Sequence, residues 1–395
     1  MMRPPALEHH PGFTLARISG SPYERGHQHG RLLRDGIYRL RETFYRDVVY
    51  FRGRAWGLAF QAVVTPILLT MERHIPRELR VEMRGVADGA GVPYRDVLSF
   101  NCFDDLLHSL WLIPAAVARF PFIGRRFACS SFALLGERTR DGKLLHGRNL
   151  DYEVAACLSN EGAVTQALMN NVIVVECHPN SGHPFISVGW PGVIGVVTSV
   201  NGAGLSLACL TSTLGGETPN GIPLPLLYRQ VTQYCGTLEQ AERLIRGAKL
   251  TIGNNLLVAS SAEDDARVFE LAPGFVATRR PLDGVLTTTN HFLEETMAPR
   301  QNGWVVPNSI HRAARLADLC RAGACTLDQA AGFLRDTQTS GPDDVWSCLE
   351  NPGTIYSTVA EPASGRLWLR TNDRPERDFV ELTATWARRR AEAVA

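Results

Sequence analysis

The sequence predicts an α+β fold in which two β-sheets are stacked and helices cover their outer faces. From residue 129 onward, strand-like runs and two pairs of helices follow one another in the order strands, helices, strands, helices, strands. Each sheet must bury an apolar face, and stacked sheets with outer helices meet that requirement. The apolar runs between residues 172 and 200 are nearly continuous, which favours strands that are covered on both faces.

The first part of the chain is predicted to be mostly helical. The residues from Ser21 to Glu24 form a capping box with proline at the first helical position, and apolar residues continue at helical spacing. Further helices are predicted at residues 60–73, 77–90 and 94–106. Residues 108–127 interrupt the helical pattern with two prolines and a glycine, so we expect a linker or an exposed loop there.

A β-hairpin is predicted where the pattern changes. Residues 129–135 and 143–150 are strand-like, and Asp141-Gly142 between them tolerates the positive φ of a tight turn. Further strands are predicted at residues 172–177, 185–188, 193–200, 205–210, 255–260, 267–271, 274–278, 285–289, 355–360 and 366–370, and helices at 224–235, 238–246, 310–320 and 327–335. We therefore divide the chain into a helical segment, residues 1–128, and a sandwich part, residues 129–395, packed as one compact unit.

The charge balance argues against polyanionic partners. The 395 residues include 41 Lys and Arg against 40 Asp and Glu, a net charge of +1. No overall field then attracts nucleic acid or an anionic membrane, and we expect neither as a partner. The apolar stretch at residues 110–122 is too short to span a bilayer.

The cysteines indicate a reducing compartment. Nine cysteines are scattered along the chain without a CxxC pair or a cysteine and histidine cluster. We therefore expect no zinc site, no other metal and no cofactor, and most of the thiols should be small buried apolar groups. The first residues lack the basic start and apolar run of a secretory signal, so we expect a cytoplasmic protein.

One of these cysteines has the surroundings of a nucleophile. Cys129 begins the first strand of the predicted hairpin, and Arg148 and Asp151 end the second strand. Antiparallel pairing brings both back beside Cys129, where a nearby cation favours the reactive thiolate. The alternative is that Cys129 is structural and that Arg148 and Asp151 form a surface ion pair.

A family resemblance favours the nucleophile. It is carried by residues 129–131 (Cys-Ser-Ser), 147–151 (Gly-Arg-Asn-Leu-Asp), 199–205 (Ser-Val-Asn-Gly-Ala-Gly-Leu), 289–292 (Thr-Asn-His-Phe) and the opening segment 21–30. Together they resemble the penicillin acyltransferase (isopenicillin N acyltransferase) family and, more remotely, bile salt hydrolases and penicillin V acylases. The resemblance covers about residues 15 to 370. It implies the four-layer αββα sandwich of N-terminal-nucleophile hydrolases.

The resemblance also implies an inactive precursor that cleaves itself. The thiol of Cys129 would attack the carbonyl of Ala128, and hydrolysis of the thioester would release residues 1–128 as a small subunit. The new α-amine of Cys129 would act as general base for its own thiol. Ala128 stands where the penicillin-processing relative has glycine, and the proline-rich segment 108–127 looks longer than the relatives' linker.

Further residues gain roles from the same resemblance. Arg148 would stabilise the thiolate and Asp151 would hold the α-ammonium. Asn290 and Asn201 would stabilise the oxyanion, and Arg312 would lie near the site. Asn201 is equally explained by a tight Asn-Gly turn, Asn290 by a turn cap and Arg312 by a helix surface.

Three aromatic residues are candidates for binding a hydrophobic acyl group, namely Phe132, Trp190 and Phe292, although each is equally a candidate core residue. The predicted function is hydrolysis or transfer of an acyl group at a linear amide bond through a Cys129 thioester. The substrate would be a small-molecule acyl amide or acyl-CoA, and the cleaved fragments would remain together as a heterodimer. The alternative is an uncleaved, non-catalytic scaffold or binding protein of the same fold.

Overall fold

Two β-sheets form the centre of the structure, a computed structural model that describes residues 5–109, 129–152, 162–212, 216–301, 307–338, 345–374 and 376–388. The strands are β1 (Ala6–His10), β2 (Phe13–Gly20), β3 (Ser130–Leu134), β4 (Leu145–Asp151), β5 (Ile173–Pro179), β6 (Phe185–Gly189), β7 (Thr198–Asn201), β8 (Leu205–Thr211), β9 (Asn254–Ser260), β10 (Asp265–Ala272), β11 (Phe275–Arg279), β12 (Val285–Thr288), β13 (Thr354–Glu361), β14 (Arg366–Thr371) and β15 (Val380–Thr383). One sheet has the order β1-β2-β5-β6-β7-β8-β9-β10-β11, and the other has the order β12-β3-β4-β13-β14-β15.

Helices cover the outer faces of both sheets. They are α1 (Pro22–Leu32), α2 (Arg34–Phe44), α3 (Arg54–Glu72), α4 (Arg77–Ala90), α5 (Tyr94–Asn101), α6 (Phe103–Ser109), α7 (Ala163–Met169), α8 (Leu224–Tyr234), α9 (Leu238–Gly247), α10 (Pro307–Arg321) and α11 (Leu327–Phe333). Helices α4 to α6, α8 and α9 share a buried apolar cluster with β8, β9 and β10 of the nine-stranded sheet. Helices α10 and α11 pack in the same way on β3, β4 and β13 of the six-stranded sheet.

A second apolar cluster lies between the sheets. It joins Val174 and Val188 of the nine-stranded sheet to Leu150, Ile355 and Leu369 of the six-stranded sheet. With helices outside and sheets inside, the layers follow the order α, β, β, α. The predicted αββα sandwich is confirmed.

The N-terminal segment contributes strands as well as helices. Strand β2 pairs in parallel with β5, and β1 pairs antiparallel with β2 at the edge of the nine-stranded sheet. These two strands were not predicted, and neither were α7 and β15. The predicted helix at residues 94–106 is two helices, α5 and α6, and the predicted strand at 193–200 begins only at Thr198.

Close helix packing holds this segment together, and a buried ionic cluster attaches it to the sandwich. A Cβ on Gly26 of α1 would lie 1.9 Å from the carbonyl oxygen of Glu82 in α4, so only glycine allows the two helices to approach so closely. The buried carboxylate of Glu82 accepts from Arg25 at 2.6 Å and from Arg229 of α8 at 3.3 Å. A buried carboxylate needs such partners, and Arg229 supplies one from the far side of the predicted cleavage point.

Helix α3 is the one helix in the described ranges whose length and composition would suit a membrane span. About a fifth (22%) of its most apolar window is buried in the fold, and Leu58 and Leu69 are among its exposed side chains. The apolar stretch at residues 110–122 lies outside the described residues.

Candidate active site

Cys129 lies directly before β3, at the inner side of the six-stranded sheet. The residue is buried, and its thiol donates to the backbone oxygen of Asp151 at 3.3 Å. Pairing of β3 with β4 places Ser130 opposite Asn149 and Ser131 opposite Arg148, which brings the end of β4 back to the thiol. A tight turn was predicted at Asp141-Gly142, and Gly142 has the positive φ that such a turn needs, 72°.

Arg148 is the cation nearest to the thiol. Its Nη2 lies 3.6 Å from the Cys129 sulfur and also donates to the backbone oxygen of Cys209 at 2.9 Å. Its Nη1 donates to the backbone oxygen of Val197 and to the hydroxyl of Thr198. No carboxylate of the described residues pairs with this guanidinium, so its charge is available to a neighbouring anion.

Burial raises the pKa of the Cys129 thiol above its ordinary value, and Arg148 opposes that shift while Asp151 adds to it. In the uncleaved chain the thiol is therefore protonated at neutral pH. An additional base is needed to make the thiolate.

Asp151 ends β4 and is fully buried. Asn351 donates to its Oδ2 at 2.8 Å, while Oδ1 has no hydrogen-bond partner among the described residues. Burial raises the pKa of Asp151 to about 6, against the opposing effect of Arg312. The site thus contains a buried carboxylate oxygen that lacks a donor.

Arg312 of α10 connects Cys129 to Asn290. Its Nη1 donates to the backbone oxygen of Cys129 at 2.5 Å and to the hydroxyl of Ser130 at 3.0 Å, and its Nη2 donates to Asn290 Oδ1 at 3.1 Å. The amide nitrogen of Asn290 donates to the backbone oxygen of Thr211 at 2.7 Å. Burial lowers the pKa of Arg312 to about 10. Arg312 is therefore a buried site residue and does not lie on a helix surface.

Asn201 is not brought to this site. Its Nδ2 donates to the backbone oxygens of Thr232 and Cys235, and its Oδ1 accepts from the backbone N–H of Ala203 and Leu205. The two Nδ2 contacts hold the end of β7 against the C-terminal end of α8, and the two Oδ1 contacts close the turn that follows β7. The turn interpretation of Asn201 therefore fits the structure, and its expected place beside the oxyanion does not.

An apolar cavity of about 1190 Å³, which includes the space at its open mouth, adjoins Cys129. Its lining comes from both sides of Cys129 and includes Leu40, Phe44, Phe100, Phe103, Asp104, Cys129, Arg148, Leu150, Tyr152, Leu168, Trp190, Val197, Cys209, Thr211, Pro225, Tyr228 and Asn254. A cavity with this mostly apolar lining suits a hydrophobic ligand.

One of the three predicted aromatic residues lies in this cavity. Trp190 lines it and donates from its ring nitrogen to the backbone oxygen of Leu168. Phe132 instead packs edge-on against Phe333 of α11, on the outer face of the six-stranded sheet. Phe292 belongs to a separate buried cluster with Met297. Neither residue lines the cavity that Cys129 adjoins. For Phe132 the reason is strand alternation, since neighbouring positions in β3 face opposite sides of the sheet.

Several other residues of the site were not predicted. Asp104, Tyr152 and Asn254 line the cavity, and Asn351 holds Asp151. Ala128, the predicted cleavage position, lies outside the described residues. Among the described residues no group of three or more His, Cys, Asp or Glu side chains could hold a metal ion.

The fold is the αββα sandwich of the N-terminal-nucleophile hydrolase class. Residues 138–376 match the family model described as "Acyl-coenzyme A:6-aminopenicillanic acid acyl-transferase". The chain belongs to this family, and the predicted relationship is confirmed. The match begins after Cys129 and includes Arg148, Asp151, Asn290 and Arg312.

Curated relatives are distant. An uncharacterised protein of Archaeoglobus fulgidus is 29% identical over 254 residues, which cover 60% of this chain and 40% of the relative. Protein dcd1B of Dictyostelium discoideum is 23% identical over 66% of this chain and 50% of its own length. Acid ceramidase of Rattus norvegicus is 24% identical over 50% of this chain and 51% of its own length. The chain thus spans about half or less of each relative.

Solved structures of low similarity include an N-acylethanolamine-hydrolyzing acid amidase ortholog from Caenorhabditis elegans. It has a TM-score of 0.44 and 18% identity, and the match covers 64% of this chain and 100% of that one. Penicillin V acylase from Agrobacterium tumefaciens has a TM-score of 0.44 and 14% identity over 65% of this chain and 86% of that one. Similarity at this level does not establish a shared activity.

Proposed function

We propose that this chain is an N-terminal-nucleophile amidase or acyltransferase. It cleaves itself before Cys129 and then uses the new N-terminal cysteine to break or exchange a linear amide bond. The arrangement around Cys129 is the observation that supports the proposal, since its sulfur lies 3.6 Å from the unpaired cation Arg148 and its carbonyl is held by Arg312. Family membership supports the same class of chemistry.

The first step is an N-to-S acyl shift. The Cys129 sulfur attacks the carbonyl carbon of Ala128, the C–N bond to Cys129 breaks, and the released amine takes up the thiol proton. Water then hydrolyses the thioester, which leaves a carboxylate on Ala128 and a free thiol on Cys129. The unpartnered Oδ1 of Asp151 is a suitable acceptor for the new α-ammonium.

The mature site then acts on an amide substrate. The α-amine, whose ordinary pKa is near 7.7 to 8, removes the proton from the Cys129 thiol near neutral pH. Arg148 stabilises the thiolate. One N–H of the Asn290 amide donates to Thr211, and the second is available to the oxyanion. The leaving amine receives the proton, and water or an acceptor amine resolves the thioester.

The cavity indicates the acyl half of the substrate. Its apolar lining, including Trp190 and Leu168, suits an extended hydrophobic acyl group whose carbonyl reaches Cys129. A small-molecule acyl amide or an acyl-CoA fits this description. Because Leu40, Phe44 and Phe100 of the N-terminal segment line the same cavity, the cavity requires both fragments after cleavage.

The fragments are expected to stay together as a heterodimer. Strand β2 is paired along its length with β5, and the Glu82 cluster crosses the cleavage point through Arg229. Separation would expose the buried apolar residues of this interface and would leave its buried charges without partners.

The test is the intact mass of three purified chains: wild type, Cys129→Ala and Cys209→Ala. Cys209 is a matched control because its side chain lines the same cavity. We expect two fragments that meet between Ala128 and Cys129 in wild type and in Cys209→Ala, and one chain in Cys129→Ala. A single intact chain in all three would contradict self-processing and favour the non-catalytic scaffold.

The cleaved protein is then tested with hydrophobic acyl amides, with and without an added acceptor amine. Hydrolysis in both conditions indicates an amidase, and a new amide in the presence of the acceptor indicates an acyltransferase.

A further inference from the structure

One carboxylate of the N-terminal segment lies in the wall of the mostly apolar cavity. Asp104, in α6, lines the cavity that contains Cys129. The hydroxyl of Tyr152 donates to its Oδ1 at 3.4 Å, and the hydroxyl of Thr211 donates to its Oδ2 at 3.2 Å. Burial raises the pKa of Asp104. A carboxylate in such surroundings is costly unless it binds donors, and two neutral hydroxyls supply only part of what it can accept.

The two hydroxyls connect Asp104 to residues that lie next to the reacting atoms. Tyr152 directly follows Asp151, whose backbone oxygen accepts from the Cys129 thiol. Thr211 supplies the backbone oxygen that accepts from Asn290. Through Tyr152 and Thr211, Asp104 is therefore connected both to the Cys129 side and to the Asn290 side of the reaction centre. Trp190 and Leu168 line another part of the same cavity, where an acyl chain can extend.

The electrostatic surroundings of Asp104 favour a hydrogen-bond donor or a cation. The neighbouring carboxyls are Asp105, whose pKa burial raises to about 7, and Glu217. The nearby cation is His108, which pairs with Glu217 at 2.8 Å and whose pKa is raised to about 9 by that carboxylate against the opposing effect of burial. Three carboxyls thus lie near one imidazole, which favours a further donor or cation beside Asp104.

We propose that Asp104 is a specificity-determining residue for the amine half of the substrate, and that its carboxyl binds a hydroxyl or ammonium group carried near the scissile nitrogen. This inference rests on the proposed function. It makes the N-terminal segment a part of the mature site, because the segment supplies the polar group that recognises the amine.

The test compares two amides of the same decanoyl group, one with a 2-hydroxyethyl amine and one with a propyl amine of nearly equal size. For the cleaved wild type we expect kcat/KM to favour the 2-hydroxyethyl amide by roughly tenfold or more, as for one hydrogen bond to a charged group. Asp104→Asn should lose most of this preference, and Asp104→Leu all of it.

The ratio of the kcat/KM values for the two amides separates a change in specificity from a loss of folded protein, since a partly unfolded preparation lowers both rates equally. Asp105→Asn is the matched control, because Asp105 binds the backbone N–H of Leu224 and the hydroxyl of Thr251 and does not line the cavity. Its ratio should equal that of wild type. Intact masses confirm that each variant is cleaved.

Equal ratios in wild type and Asp104→Asn would overturn the inference while the proposed function stands. A cleaved wild type that turns over neither amide would also overturn the inference, because the inference requires that the enzyme accepts amides of these amines. An uncleaved and inactive wild type would overturn the proposed function itself, and the inference with it.

Discussion

Replacement of Asp151 by asparagine should make the uncleaved chain more stable at neutral pH. Asp151 is fully buried, and its Oδ1 has no hydrogen-bond partner among the described residues. The asparagine keeps nearly the same shape and removes the charge. To keep the chain uncleaved, the comparison is made between Cys129→Ala and the double variant Cys129→Ala/Asp151→Asn.

The magnitude follows from the pKa of Asp151, which burial raises from 3.8 to about 6. An acid with a raised pKa in the folded state binds its proton more tightly when folded, so folding stability falls as pH rises from about 4 to above 6. At about 1.36 kcal/mol per pKa unit, the loss is roughly 3 kcal/mol. Asparagine does not titrate, and the double variant should lack this loss.

Urea unfolding of both variants at pH 4 and pH 7.5 measures the effect. The free energy of unfolding of Cys129→Ala, relative to the double variant, should fall by roughly 2.4 kcal/mol between the two pH values, because about 0.6 kcal/mol of the loss is already present at pH 4. Contributions of all other groups cancel in this difference. Parallel pH dependences of the two variants would refute the argument that burial raises the pKa of Asp151.

Three further substitutions test the other site residues. Arg148→Met should raise the pKa of the thiol in the cleaved protein, measured by alkylation rate against pH, and lower kcat about 10²-fold or more. Asn290→Ala should lower kcat about 10²–10³-fold with little change in KM, as for loss of an oxyanion donor, in steady-state kinetics. Asn201→Ala should instead lower the free energy of unfolding by about 2–4 kcal/mol, because four backbone groups lose partners, with kcat per titrated active site unchanged.

Much of this site was predictable because it is local in sequence. Cys129, Arg148 and Asp151 belong to one hairpin, and antiparallel pairing alone places them together. Asn290 and Arg312 could be named only through the family resemblance. Their contacts depend on how α10 packs on β3 and β12, which hydrophobic periodicity does not specify.

The errors have physical causes. Asn201 begins an Asn-Gly turn, and its side chain accepts from the backbone N–H of Ala203 in that turn. The turn alone explains the asparagine, so an additional role at the oxyanion was not needed. Phe132 and Phe292 do not face the cavity that Cys129 adjoins. Both side chains pack instead in other buried clusters. Strand β2 was missed although Phe13, Leu15 and Ala16 are buried, because its partner β5 is far along the chain and parallel pairing leaves no turn signal.

The uncleaved site is incomplete in two respects, and one event completes both. Asp151 lacks a donor for Oδ1, and Arg148 lacks a carboxylate among the described residues. In the proposed mechanism, cleavage would create an α-ammonium that can donate to Asp151. The neutral amine would be the base that converts Cys129 to the thiolate, which Arg148 can stabilise. The proposed self-cleavage should therefore remove the electrostatic cost of the precursor in the same step that makes the nucleophile.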